Sequence, residues 1–147
     1  MSISVQLADF DCGAEIAALG AAGVGAVASF VGVVRGGSGA ERVLAMSLEH
    51  YPGMTERALA DIVAAAQQRW TLNGVRVIHR VGRLLAGEQI VFVGVAAAHR
   101  GEAFAACEFI MDFLKTRAPF WKKEETAQGA HWVDARESDD LAAQRWQ

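Results

Sequence analysis

The stretch Gln89–Pro119, QIVFVGVAAAHRGEAFAACEFIMDFLKTRAP, decides how this chain folds. Its first part, Gln89 to Ala97, is apolar and rich in valine, the composition of a strand buried on both faces. From about Gly101 to Thr116 the period changes. Phe104, Cys107, Ile110, Met111 and Leu114 recur at helical spacing and are expected to face a core. Pro119 stops the helix, because its ring disfavours helical backbone at the residue before it.

Working outward, Arg76 to Val81 reads as a strand separated from Gln89–Ala97 by a turn at Gly87-Glu88. Upstream, Ala58, Leu59, Ile62, Val63 and Ala66 form one face of a second long helix, with Thr55 as N-cap and an end near Trp70, before the Asn73-Gly74 turn. Gly25 to Val34 is a buried strand, and Val43 to Glu49 is expected to pair with it across the glycine-rich loop Arg35 to Arg42, RGGSGAER. Ile3 to Leu7 alternates as a short strand, and Asp11 caps a short helix ended by Gly20. Phe120 to Glu125 and His131 to Val133 are further short strands. Strands outnumber helices and do not alternate with them. The fold class is therefore α+β: an antiparallel or mixed sheet covered by two long helices, with short extra strands.

A chain of 147 residues suits one domain, 1–147, able to bury a core without metal or disulfide staples. With 52% hydrophobic and 21% charged residues it is not disordered, yet no apolar run approaches the ~20 residues of a membrane span. Met1-Ser2-Ile3-Ser4 lacks a signal-peptide start, so a cytoplasmic location without membrane attachment is expected. Cys12 and Cys107 form no Cys-x-x-Cys pair, and the four histidines lack metal-site spacing, so neither a metal nor a cofactor is expected. Net charge is −3, which removes any global electrostatic case for nucleic acid; an anion site must come from local clustering.

Such clustering occurs in Met111–Glu125, MDFLKTRAPFWKKEE, which carries Lys115, Arg117, Lys122 and Lys123. A corner at Pro119 can bring Lys115 and Lys122 towards one spot, suiting a phosphate or a developing anion. The plainer alternative, which the charge pattern alone favours, is a lysine complementing a helix C-terminus beside a solvated strand. His99-Arg100 opens the long helix, where anions commonly bind, or else merely caps it. Arg35 ends a buried strand and enters the glycine-rich loop, which lacks the Gly-Lys-Ser/Thr of a P-loop. Cys107 has apolar neighbours and reads as a small core residue rather than a nucleophile, and Trp70, Phe104, Phe109 and Trp121 also read as core.

These segments resemble the large, catalytic subunits of molybdopterin synthase. The matching stretches are SFVGVVR (Ser29 to Arg35), LEHYPGMTERAL (Leu48 to Leu59), VIHRVGRLLAGEQIVFVGVAAAHR (Val77 to Arg100), FIMDFLKTRAPFWKKE (Phe109 to Glu124) and WVDARESD (Trp132 to Asp139). The resemblance implies a hammerhead-like α/β sandwich that forms a homodimer within a heterotetramer. It implies a small ubiquitin-like partner whose C-terminal Gly-Gly ends as a thiocarboxylate and delivers sulfur to cyclic pyranopterin monophosphate, making the molybdopterin dithiolene. A partner that carries the sulfur accounts for the absence of a reactive cysteine. Carried over by motif position, Lys115 and Lys122 are expected to be catalytic. Arg35, His99, Arg100, Lys123, Glu124 and Arg136 are expected to bind substrate, with Phe30 and Met111 walling the pocket. Val33 stands two positions before Arg35, where some members of the family carry a basic residue, so any phosphate contact from that side chain is lost here. The alternatives are a non-catalytic module of the same fold that binds a pterin phosphate or the ubiquitin-like partner, and a small nucleic-acid-binding domain, against which the overall acidity counts.

Overall fold

The computed structural model describes residues 2–133 and 137–147, the side chains of 137 and 138 excepted, so Arg136 lies outside the described residues. The element order is β1 (Ile3–Gln6), α1 (Cys12–Ala18), β2 (Ala26–Val33), β3 (Ala45–His50), α2 (Met54–Arg69), β4 (Gly74–Arg80), β5 (Gly82–Leu85), β6 (Gln89–Ala97), α3 (Arg100–Arg117), β7 (Phe120–Thr126), β8 (Gly129–Val133) and α4 (Glu137–Gln144).

Two four-stranded sheets result among the described residues. The first, β1-β4-β6-β2, is mixed: β1 runs parallel to β4 and the remaining pairs are antiparallel. The second, β5-β3-β7-β8, is antiparallel throughout. The α+β class and the two covering helices are thus as expected, and the short extra strands assemble into a sheet of their own.

The main core lies between the first sheet and the helices α2 and α3. Leu59, Ile62, Val63 and Ala66 of α2 and Ala106, Cys107, Ile110 and Leu114 of α3 pack with Val75, Val77, Val91, Val93 and Val95. Phe104 does not join them: it is 65% exposed, because Ala103 takes the core position in that turn and Phe104 lies about 100° further round the helix. Asp11 caps α1 as its position predicts, accepting the Ala14 N–H at 3.1 Å. Helix α2 begins one residue before the expected cap. Gly53 is the N-cap, at φ +86, and the Glu56 carboxylate accepts its N–H at 3.0 Å, while the Thr55 hydroxyl donates instead to the Tyr51 carbonyl at 2.9 Å.

Two pairings differ from the sequence expectation. Strand β3 does not pair with β2. The last residue of that run, Val34, is tied to the β5–β6 turn, its N–H donating to Glu88 and its carbonyl accepting from Gly87. Met46 and Leu48 of β3 then pack with Val34 and Leu84 in a second, smaller core. Gly87-Glu88 separates β5, rather than β4, from β6; Gly82, at φ +88, turns the chain out of β4 and into the second sheet. Strands β4 and β6 nonetheless pair antiparallel.

Ile110 is 1% exposed at the centre of the main core. Ile110→Ala should destabilise the fold by about 2–5 kcal/mol, seen as a lower midpoint at unchanged slope in a urea titration.

Candidate active site

The junction of α3 with the second sheet encloses a cavity of about 590 Å³. Its position follows from the corner at Pro119. Ala118, the C-cap of α3, is extended at φ −77, ψ 133, as a residue before proline must be, and the chain enters β7 at Phe120. Lys115, in the last turn of α3, and Lys122, on β7, therefore line one cavity. Strand alternation places Phe120, Lys122 and Glu124 on the cavity side of β7. Trp121, Lys123 and Glu125 take the other side. The Lys123 ammonium lies 4.7 Å from the Trp132 ring centroid, and Glu125 pairs with Arg83 at 2.9 Å. Trp121, expected in the core, is consequently 41% exposed, in edge contact with Tyr51.

Arg35 reaches the same cavity from the end of β2. It follows the buried Val34 and precedes a loop whose base is closed by the Val43 N–H donating to the Gly36 carbonyl at 2.7 Å. Gly36, Gly37, Ser38 and Glu41 of that loop line the cavity as well. Of the four clustered cations, Lys115 and Lys122 converge. Lys123 and Arg117 diverge, the Arg117 guanidinium lying 4.2 Å from the Phe113 ring centroid.

The other expected positions lie elsewhere in the fold. Met111 is buried in the main core, and Phe30, on β2, is 41% exposed; neither lines the cavity. His99 is the N-cap of α3 but its side chain makes no capping hydrogen bond, and Arg100 is the first helical residue. Lys115 is fifteen residues further on, about 22 Å along the helix axis. Cys107 is buried, and desolvation pushes its thiol up to about 11, so it serves as a core residue. Among the described residues no three His, Cys, Asp or Glu side chains group to hold a metal ion, and no helix is long and apolar enough to cross a membrane.

One lining residue was not singled out from the sequence. His79 occupies the apolar stripe Val75, Val77, His79 of β4 and is 4% exposed at the cavity wall. Its ring stacks on Phe120 at 3.7 Å and 15°, and its Nδ1 lies 2.8 Å from the Arg80 carbonyl oxygen. A carbonyl only accepts, so Nδ1 carries the proton and Nε2 keeps its lone pair. Burial, opposed by that hydrogen bond and reinforced by Lys115, Lys122 and His50, lowers the imidazole pKa to about 3. The available signal was a lone polar residue on the buried face of an alternating strand.

The unfolded imidazole takes its proton near pH 6.5 and the folded one only near 3. Between these values the unfolded state binds the extra proton, so stability declines as pH falls. The His79 contribution should approach about 1.4 kcal/mol per pH unit, be absent from His79→Phe, and show in denaturant midpoints from pH 7 to 4.

Comparison with known proteins agrees with this architecture. The family model described as MoaE protein matches residues 5–117. A molybdopterin synthase catalytic subunit of Ralstonia nicotianae is 65% identical over 147 residues, covering 99% of this chain and 84% of the relative. A molybdopterin biosynthesis MoaE protein structure from Burkholderia ambifaria superimposes with a TM-score of 0.84 at 57% identity, covering 99% of this chain and 97% of that one. A Helicobacter pylori complex of subunits 1 and 2 of molybdopterin-converting factor shares the fold at 18% identity, with a TM-score of 0.74 and 92% of both chains covered. A match of this extent, over a chain whose cavity gathers Arg35, Lys115 and Lys122, places it: the chain belongs to the MoaE protein family and is an enzyme of molybdopterin synthesis.

Proposed function

We propose that this chain accepts the C-terminal thiocarboxylate of a small ubiquitin-like partner in its cavity and passes the sulfur to cyclic pyranopterin monophosphate. The observation that carries the reading is the convergence of Arg35, Lys115 and Lys122, from three separate segments, on one cavity of an acidic protein. Both reactants are anions, and cations held against a partly apolar wall attract them more strongly than cations in bulk water. The Helicobacter pylori complex shows that a protein of this fold assembles with a second subunit.

Lys115 handles proton transfer or attack at the thiocarboxylate acyl carbon, while Lys122 holds the substrate or stabilises the oxyanion that forms there. Arg35 binds the phosphate, and Glu124, two residues from Lys122 on the same strand face, orients its neighbours. Lys123, on the opposite face, contributes less directly. Arg136 is assigned to the substrate by motif position alone.

His99 and Arg100 enter this reading through a second copy of the chain. Strand β2 is an edge of the first sheet, with Val27, Phe30 and Val33 exposed at 37%, 41% and 48%. Its Ala26 end pairs with Ala97, beside His99, whereas its Val33 end leads to Arg35. An antiparallel contact of two β2 edges about a two-fold axis would carry the His99-Arg100 corner of one copy towards the Arg35 end of the other. Homodimerisation along β2 therefore reunites residues that a single copy holds about 22 Å apart.

Reconstitution tests the chemistry. Purified chain, thiocarboxylated partner and cyclic pyranopterin monophosphate should yield molybdopterin, measured as its fluorescent oxidation product. Lys115→Ala should abolish turnover while the partner still binds. Lys122→Ala should lower kcat by on the order of a hundredfold. Unchanged turnover in Lys115→Ala would remove its assignment, and a stable complex without product in the wild type would leave a binding module. Shared sites make a separate prediction. Mixing inactive Lys115→Ala with inactive Arg100→Ala under subunit exchange should restore about a quarter of wild-type activity, since half the dimers are mixed and each holds one intact site.

A further inference from the structure

The cavity wall is rich in hydrogen-bond donors. Arg35, Lys115 and Lys122 offer N–H groups only, which suits the anionic ends of the reactants. The heterocycle of a pterin is a different object, carrying ring N–H and amino donors that need acceptors. Glu41 and Glu124 supply charged acceptors. His79 supplies a neutral one, held in place by two independent contacts.

Stacking on Phe120 at 3.7 Å fixes the plane of the His79 ring, and the 2.8 Å hydrogen bond from Nδ1 to the Arg80 carbonyl fixes its rotation and tautomer. Nε2 makes no hydrogen bond within the protein among the described residues. Because no wholly buried polar side-chain atom there lacks a partner, Nε2 is not wholly buried, and the residue that carries it lines the cavity. An acceptor so oriented loses little freedom when a ligand donor reaches it, and an analogue lacking that donor leaves it unsatisfied.

We propose that His79 is a specificity-determining residue whose Nε2 accepts a hydrogen bond from an N–H of the substrate's heterocycle. The role rests on the substrate assigned above. It divides the cavity by function: cations hold the anionic groups, and the His79–Phe120 pair reads the ring. Its neutral state persists through the physiological range, so the acceptor is not lost by protonation.

The test uses the full chain with thiocarboxylated partner and cyclic pyranopterin monophosphate. His79→Phe keeps an aromatic ring to stack on Phe120 and removes the acceptor. His79→Gln places an amide oxygen near the position of Nε2 and loses the stack. In His79→Phe, KM for the pterin should rise on the order of ten- to a hundredfold while KM for the thiocarboxylated partner stays unchanged. His79→Gln should recover part of that loss. Direct titration of the pterin without the partner should show the same order of affinity: wild type, then His79→Gln, then His79→Phe. An unchanged pterin KM in His79→Phe overturns the assignment, as does a Gln variant no better than Phe or an equal rise in both KM values. Absence of turnover and of pterin binding in the wild type would instead overturn the substrate reading itself, and this role with it.

Discussion

Helix α3 buries eight side chains, from Ala103 to Leu114, and the register in which it lies across the first sheet sets the geometry of everything that follows. Phe109, Ile110, Phe113 and Leu114 sit at 5% exposure or less, so the last turn cannot rotate without opening the core. Lys115 is the next residue, and its direction is set by what its neighbours bury. Pro119 then converts packing into a site. By forcing Ala118 into extended backbone it ends the helix and starts β7, so that Lys122 returns to the same cavity as Lys115. A cation pair built this way needs no dedicated scaffold; it comes from the packing of α3 and one turn.

The second sheet depends on the same arrangement from the other side. Its small core, Val34, Met46, Leu48 and Leu84, holds β3 against β5 and ties the end of the β2 run to the β5–β6 turn. Arg35 is carried to the cavity by that tie. Glu124 and Lys122 face inward because β7 pairs in register with β3, Met46 opposite Glu124 and Leu48 opposite Lys122. A slip of one residue would turn both outward and bring Lys123 in. Register thus decides which lysine of the Lys122-Lys123 pair faces the cavity.

Much of this is legible in the sequence, because its signals are local. The period change from Gln89–Ala97 to the following helix, the Pro119 stop and the Asp11 cap each act over a few residues, and each is borne out. The errors arise where a local signal meets a longer-range partner. The loop RGGSGAER reads as a hairpin connection, yet β3 finds Leu84 and β7 rather than β2. Phe104 fits the helical stripe, but Ala103 makes the core contact in that turn. At the site, Lys115, Lys122, Arg35 and Glu124 stand together, whereas His99 and Arg100 lie at the other end of α3, a separation that no count of residue types reveals. His79 is harder to read, because it has neither the metal-ligand spacing that marks a histidine site nor the helix-start position of His99, and a buried neutral acceptor leaves no spacing signature.

An acidic chain that gathers cations in one cavity has to separate local from global charge. At a net charge of −3 the protein does not draw anions to its surface at large. Arg83 is paired with Glu125, and Arg145 with Glu108 and Asp112, so these cations are matched on the exterior by acids of their own. Arg35, Lys115 and Lys122 instead face a cavity walled partly by Val33, Ile90, Leu114 and Phe120, so that three cations are gathered beside apolar side chains. Glu41 and Glu124 line the same wall, so the cavity carries acids as well as cations. The arrangement favours a ligand that is anionic at one end and polar but uncharged at the other, since the anion satisfies the cations and the neutral end meets His79, an acceptor that burial prevents from becoming a fourth positive charge.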